Sequence, residues 1–123
     1  MMKKIITLLV ILVVLSFSVF SWSATRSISG DKVTITIDTT DTIGFTVMDT
    51  LSAGTSAINV GQDGLYLPNK NVVRWIKTGN DVKTLTYTVV NSGTVTGVIT
   101  AGDPASEKSI SGDSTIPKSP TQQ

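Results

Sequence analysis

Apolar and polar residues alternate along several short stretches of the chain, the period of a strand with one buried face. In the clearest stretch, residues 32–38, Val33, Ile35 and Ile37 alternate with polar residues. The same pattern predicts strands over residues 43–50, 71–77, 83–90 and 94–100, with an irregularity at Gly97. Weaker short strands are predicted over residues 56–60 and 109–116.

Clusters of Gly, Asn, Asp and Ser separate these stretches and predict turns, and residues 65–71 are interpreted as an irregular loop. Helical periodicity is absent after residue 24. We therefore expect an all-β fold, a sandwich of about six or seven short strands, with a closed barrel as the alternative. Trp75 and Tyr87 share the parity of apolar neighbours and are the large core candidates.

The first residues follow a different pattern. Lys3 and Lys4 precede an apolar run, and small residues follow at Ser21 and Ser23. This layout is typical of a secretory signal peptide, here a signal helix over residues 1–23 cleaved after Ser23. An uncleaved anchor helix is the alternative, and it would then be the only part in contact with the membrane. In both cases the positive start favours export, so we expect a secreted or cell-surface protein.

The domain division that follows is a sandwich over residues 24–116 and a disordered polar tail over residues 117–123. The amino-acid composition excludes several classes of catalytic and metal site. The 123 residues contain no His and no Cys, so Ser-His-Asp and Cys-His catalysis and Cys-based zinc sites are ruled out. The net charge of +1 argues against nucleic acid as a partner.

Few acidic residues are left as candidates for chemistry. Asp38 and Asp41 flank a predicted turn, and Asp31 and Asp49 are candidates to lie near them in a calcium site. Turn carboxylates more often accept bonds from their own backbone, so we expect no metal, no cofactor and no catalytic residue. The sequence favours a non-enzymatic protein.

Several motifs together resemble the conserved-repeat domains of unknown function in archaeal and bacterial surface proteins. The motifs are VTITI at residues 33–37, FTVMDTLSAG at 45–54, VRW at 73–75 and KTLTYTV at 83–89. Ser52 stands where that family usually has Pro. The resemblance implies an immunoglobulin-like β-sandwich that acts as a structural or interaction module of the cell surface.

Two other functions stay open, with surface proteins or glycans as the expected partners. Tyr66, between Gly64 and Pro68, is the best candidate for an exposed aromatic that contacts a sugar, as in a carbohydrate-binding module. A free N-terminal segment, residues 25–31, could instead add a strand to a second copy in a surface filament. Residues 27–31 also recur in sequence as residues 109–113, by chance or as similar strand entries at the two ends of the sandwich.

Overall fold

The computed structural model describes residues 22–39, 44–78, 83–102 and 105–117, and this part of the chain is built from strands. The strands form two packed sheets, so the prediction of an all-β sandwich is confirmed. The strands are β1 (Trp22–Ser29), β2 (Lys32–Thr39), β3 (Gly44–Leu51), β4 (Ser56–Ile58), β5 (Leu65–Leu67), β6 (Val72–Thr78), β7 (Thr84–Val90), β8 (Gly93–Ala101), β9 (Ser106–Ser109), β10 (Ser111–Gly112) and β11 (Thr115–Ile116).

One sheet has five strands in the order β10-β1-β2-β7-β4, and the other has six in the order β11-β8-β3-β6-β5, with β9 also paired to β8. All pairs are antiparallel except β1 with β10. Each long strand turns its apolar residues inward and most of its Thr residues outward, because successive side chains point to opposite faces. The predicted strands β2, β3, β6, β7 and β8 are confirmed to within two residues.

The core lies between the sheets and contains the two aromatic residues predicted for it. Trp75 and Tyr87 are each 1% exposed, and their ring centroids are 5.8 Å apart in a tilted arrangement. The indole Nε1 of Trp75 donates to the backbone oxygen of Gly61 at 2.9 Å, so its one polar atom is satisfied. Gly64 lies directly beside this indole, where a side chain would not fit.

The N-terminal segment is not free, and this prediction is wrong. Residues 22–29 form β1, which pairs with β2 along its whole length from Trp22↔Thr39 to Ser29↔Lys32. Ala24 and Arg26 point inward and are buried. The predicted signal segment lies outside the described residues except for Trp22 and Ser23, which begin β1.

Two further predictions about local structure are wrong. Leu65–Leu67 is not part of an irregular loop but the edge strand β5, paired with β6. Gly97 causes no irregularity, since the register of β8 with β3 continues unbroken from Phe45↔Ala101 to Leu51↔Val95.

Three short strands replace the single strand predicted at the C-terminal side. We call residues 106–116 the C-terminal strap. Its β9 and β11 pair with β8 of one sheet, whereas β10 pairs with β1 of the other, so the strap closes one side of the sandwich. Ile110 and Ile116 are its two buried anchors.

The repeated sequence does not mark similar strand entries. Gly30 forms the turn between β1 and β2, whereas Gly112 lies within β10 against Arg26. The predicted tail lies outside the described residues except for Pro117. Across the described ranges, no helix has the length and apolar character needed to cross a membrane.

Candidate functional site

A buried polar cluster lies between the two sheets. Arg26 on β1 and Tyr87 on β7 belong to the five-stranded sheet, and both bind Asp49 on β3 of the six-stranded sheet. The Nε of Arg26 donates to Oδ2 of Asp49 at 3.1 Å, and a second guanidinium nitrogen pairs with Oδ1. The hydroxyl of Tyr87 donates to the same Oδ2 at 2.7 Å.

The cluster is isolated from solvent, which sets its electrostatics. Asp49 is fully buried and Arg26 is 2% exposed. Burial raises the pKa of Tyr87 well above its usual range, and the nearby charge of Asp49 raises that pKa further. The third guanidinium nitrogen of Arg26 donates to the backbone oxygen of Asp113 at 3.1 Å. Every member therefore has a partner inside the protein, and the cluster serves as a polar link between the sheets.

Gly97 makes room for this link. A methyl group added at Gly97 would collide with the carboxylate of Asp49 and the guanidinium of Arg26. The close approach of these two side chains therefore explains the glycine at position 97, which was expected to disturb the strand.

This cluster was not predicted from the sequence, although one signal for it was present. Asp49 shares the inward parity of Phe45, Val47 and Leu51, and a carboxylate at such a position needs a buried partner. Asp31 and Asp38 are exposed elsewhere, and Asp41 lies outside the described residues. Among the described residues, no three acidic side chains come together in a way that could hold a metal ion.

Tyr66, the predicted ligand contact, lies in β5 rather than in a loop. It is half-buried and packs against the core. Its hydroxyl donates to Oδ1 of Asn71 at 2.6 Å. The ring is thus held to the turn between β5 and β6, which leaves only part of it accessible.

Asn71 is the centre of a hydrogen-bond network around the SAG turn at residues 52–54. Its side-chain nitrogen donates to the backbone oxygens of Leu51, Ser52 and Thr55 at 3.2, 2.9 and 2.8 Å. Asn71 has a φ of 56°, in the left-handed region that Asn tolerates better than most residues. The network fixes the β5–β6 turn against the end of β3.

A surface depression of about 310 Å³ opens beside this fixed turn. Two cationic side chains, Lys70 and Arg74, are among its lining residues, together with Leu67, Pro68 and Asn69. None of the described residues that line it is acidic. The arrangement is suited to hold a small anionic group.

Comparison with protein-family models gives no match for this chain, and comparison with curated protein sequences gives none either.

Proposed function

We propose that this chain is an exported, non-enzymatic structural and interaction module of the cell surface or extracellular space. The apolar N-terminal pattern after Lys3 and Lys4 supports export. The resemblance of its motifs to conserved-repeat surface domains supports the kind of module.

We also propose that the sandwich is immunoglobulin-like. The order β1-β2-β7-β4 corresponds to the A-B-E-D sheet of that fold. In the facing sheet β8-β3 corresponds to F-C, with the C-terminal strap in the place of strand G and β6 as an additional strand beside C. The chain departs from the pattern in one respect. The edge strand β4 precedes β6 in the chain, whereas strand D of an immunoglobulin domain comes directly before strand E.

The observation that carries the structural role is the direction of the first and last strands. β1 and β10 are parallel neighbours, with Thr25 opposite Ser111 and Arg26 opposite Gly112. The described chain therefore enters beside Trp22 at one end of the sandwich and leaves beside Ile116 at the other. Modules with this layout can be joined in series along a line.

The same layout suits a protein that carries load. A pull on the two ends acts along β1 and the strap, across the hydrogen bonds that join them, so these bonds are loaded together. The bonds include Asp113 N to Arg26 O at 2.9 Å and Ile28 N to Asp113 Oδ2 at 3.0 Å. Lys108 and Ser111 add bonds to the backbone oxygens of Trp22 and Ala24.

Single-molecule pulling of the full chain through its two ends tests this role. We expect a single high-force rupture that drops in Gly112→Ala, because a methyl group there would collide with the backbone oxygen of Arg26. Gly54→Ala is the matched control, since Gly54 also has a positive φ but an added Cβ there would meet no atom within 4 Å. Equal rupture forces in these two variants would contradict a load-bearing role for the strap.

Assembly into a filament by strand addition would need an edge other than residues 25–31. The outer edge of β1 is covered by the strap, which leaves β4 and β5 as the outer strands on the other side of the sandwich. Both are three residues long, and short edge strands disfavour pairing with another chain. The carbohydrate alternative is better supported, because the depression beside Arg74 offers a shaped polar surface.

A further inference from the structure

We propose that the depression on the β5–β6 hairpin binds the carboxylate of an acidic sugar within an acidic polysaccharide, with Arg74 as the main contact. The site rests on the proposed extracellular setting and deepens the carbohydrate alternative, and it is independent of the mechanical role of the strap.

Arg74 has apolar neighbours in the sheet. It lies directly across from Leu65 on β5 and from Met48 on β3, and its neighbours on the same face of β6 are Val72 and Ile76. Arg74 is half-buried, and its four neighbours on this face of the sheet form an apolar frame around its position. Such a frame lowers the local dielectric and strengthens any ion pair that Arg74 forms with a ligand.

Arg74 has no charged partner among the residues that the structure describes. It forms no ion pair and no side-chain hydrogen bond with any residue that the structure describes. The other described arginine, Arg26, has all three guanidinium nitrogens bonded to Asp49 and Asp113. The contrast assigns Arg26 to the fold and leaves Arg74 available to a partner.

Lys70 lines the same depression from a hydrogen-bonded turn. The turn that carries it is held by backbone bonds from Lys70 N to Leu67 O at 3.2 Å and from Asn71 N to Pro68 O at 3.3 Å. Asn71 fixes the same turn to the end of β3 through three further bonds. A second cation therefore stands beside the depression on a preorganised backbone, which reduces the entropy lost on binding.

The shape and chemistry of the lining favour a sugar acid. The planar fork of Arg matches a carboxylate through two parallel hydrogen bonds. Leu67 and Pro68 offer an apolar wall for the C–H face of a sugar ring, and Asn69 offers an amide for its hydroxyl groups. A volume of about 310 Å³ is at the small end for ligand sites, which suits one sugar unit of a longer chain.

Titration of the full-length chain with polygalacturonate, followed by calorimetry and by amide NMR shifts, tests the proposal. We expect binding that shifts the amides of the β5–β6 hairpin and that is absent with the fully methyl-esterified polymer. Arg74→Gln is expected to weaken binding by about tenfold to a hundredfold, the usual effect of losing a hydrogen bond to a charged group. Arg74→Lys should also weaken it, because the fork geometry is lost.

Lys32→Gln is the matched control, since it removes an exposed cation from β2 on the other sheet. Binding should survive this change. Equal losses in Lys32→Gln and Arg74→Gln, equal binding of the methyl ester, or no binding by the unmodified chain would overturn the proposal. Equally tight binding of polyglutamate at the hairpin would overturn the assignment to a sugar. None of these outcomes would alter the rupture force, so this proposal and the load-bearing role fail separately.

Discussion

At the scale of single residues, the Arg26–Asp49 pair is the contact whose loss the fold should tolerate least. Arg26→Met leaves a fully buried carboxylate without its cation, and we expect a loss of about 3–5 kcal/mol in the free energy of unfolding. The double variant Arg26→Met/Asp49→Leu removes both charges and should lose clearly less than Arg26→Met alone. Denaturant unfolding measures both values.

Comparison of the double variant with the two single variants also shows whether coupling between the two charges causes the loss of stability. If the double variant is as unstable as the sum of the two single variants, the charges act independently and the cluster is not a coupled link. Some loss should remain in the double variant, because Tyr87 then loses the acceptor for its buried hydroxyl.

Tyr87 gives the fold a dependence on alkaline pH. Below about pH 10 the tyrosine is neutral in both the folded and the unfolded chain, so its contribution to stability is complete. Above that pH the unfolded chain releases the proton, while the raised pKa of Tyr87 keeps the folded chain protonated. Stability should therefore fall as pH rises, by about 1.4 kcal/mol per pH unit from this group.

The comparison with Tyr87→Phe isolates this effect. The difference in unfolding free energy between the native chain and this variant should be constant below about pH 10 and should shrink above it. A difference that stays constant through the alkaline range would mean that Tyr87 ionises equally in both states.

Among single residues, the aromatic core residues were predictable from the sequence, whereas the polar partners were not. Trp75 and Tyr87 were predictable as core residues because their parity with apolar neighbours reports burial directly. The partner of Asp49 was not predictable, because parity shows that a carboxylate points inward but not which cation from a strand 23 positions away in the chain meets it. Tyr66 was assigned to a loop because β5 has only three residues and is defined by its pairing with β6.

At the scale of elements, most long strands and the short strand β4 were predictable, whereas the other short strands were not. β2, β3, β6, β7 and β8 each span at least seven residues, enough for alternation to be visible. β5 has three residues and β10 and β11 have two, so their pairing with longer neighbours defines them. β1 was hidden for another reason. Its first residues continue the small and polar pattern of the predicted cleavage region.

At the scale of the whole molecule, two devices hold the sheets together without disulfides. The chain contains no Cys. The buried cluster joins β1 and β7 to β3 through the core, and the strap joins β1 to β8 along one side. Arg26 belongs to both devices, because its guanidinium binds Asp49 and its backbone pairs with the strap.

Because Arg26 belongs to both devices, its replacement should affect how the two sheets open. Amide hydrogen exchange measured by NMR should be slowest in β2 and β3, which pair with a strand of at least seven residues on each side. It should be fastest in the edge strands β4, β5 and β9. In Arg26→Met, exchange should accelerate in both sheets together, because the cluster spans them. Lys32→Gln is the control for a surface change on the neighbouring strand. Acceleration confined to the strap and β1 would show instead that Arg26 only fastens one side of the sandwich and does not couple the two sheets.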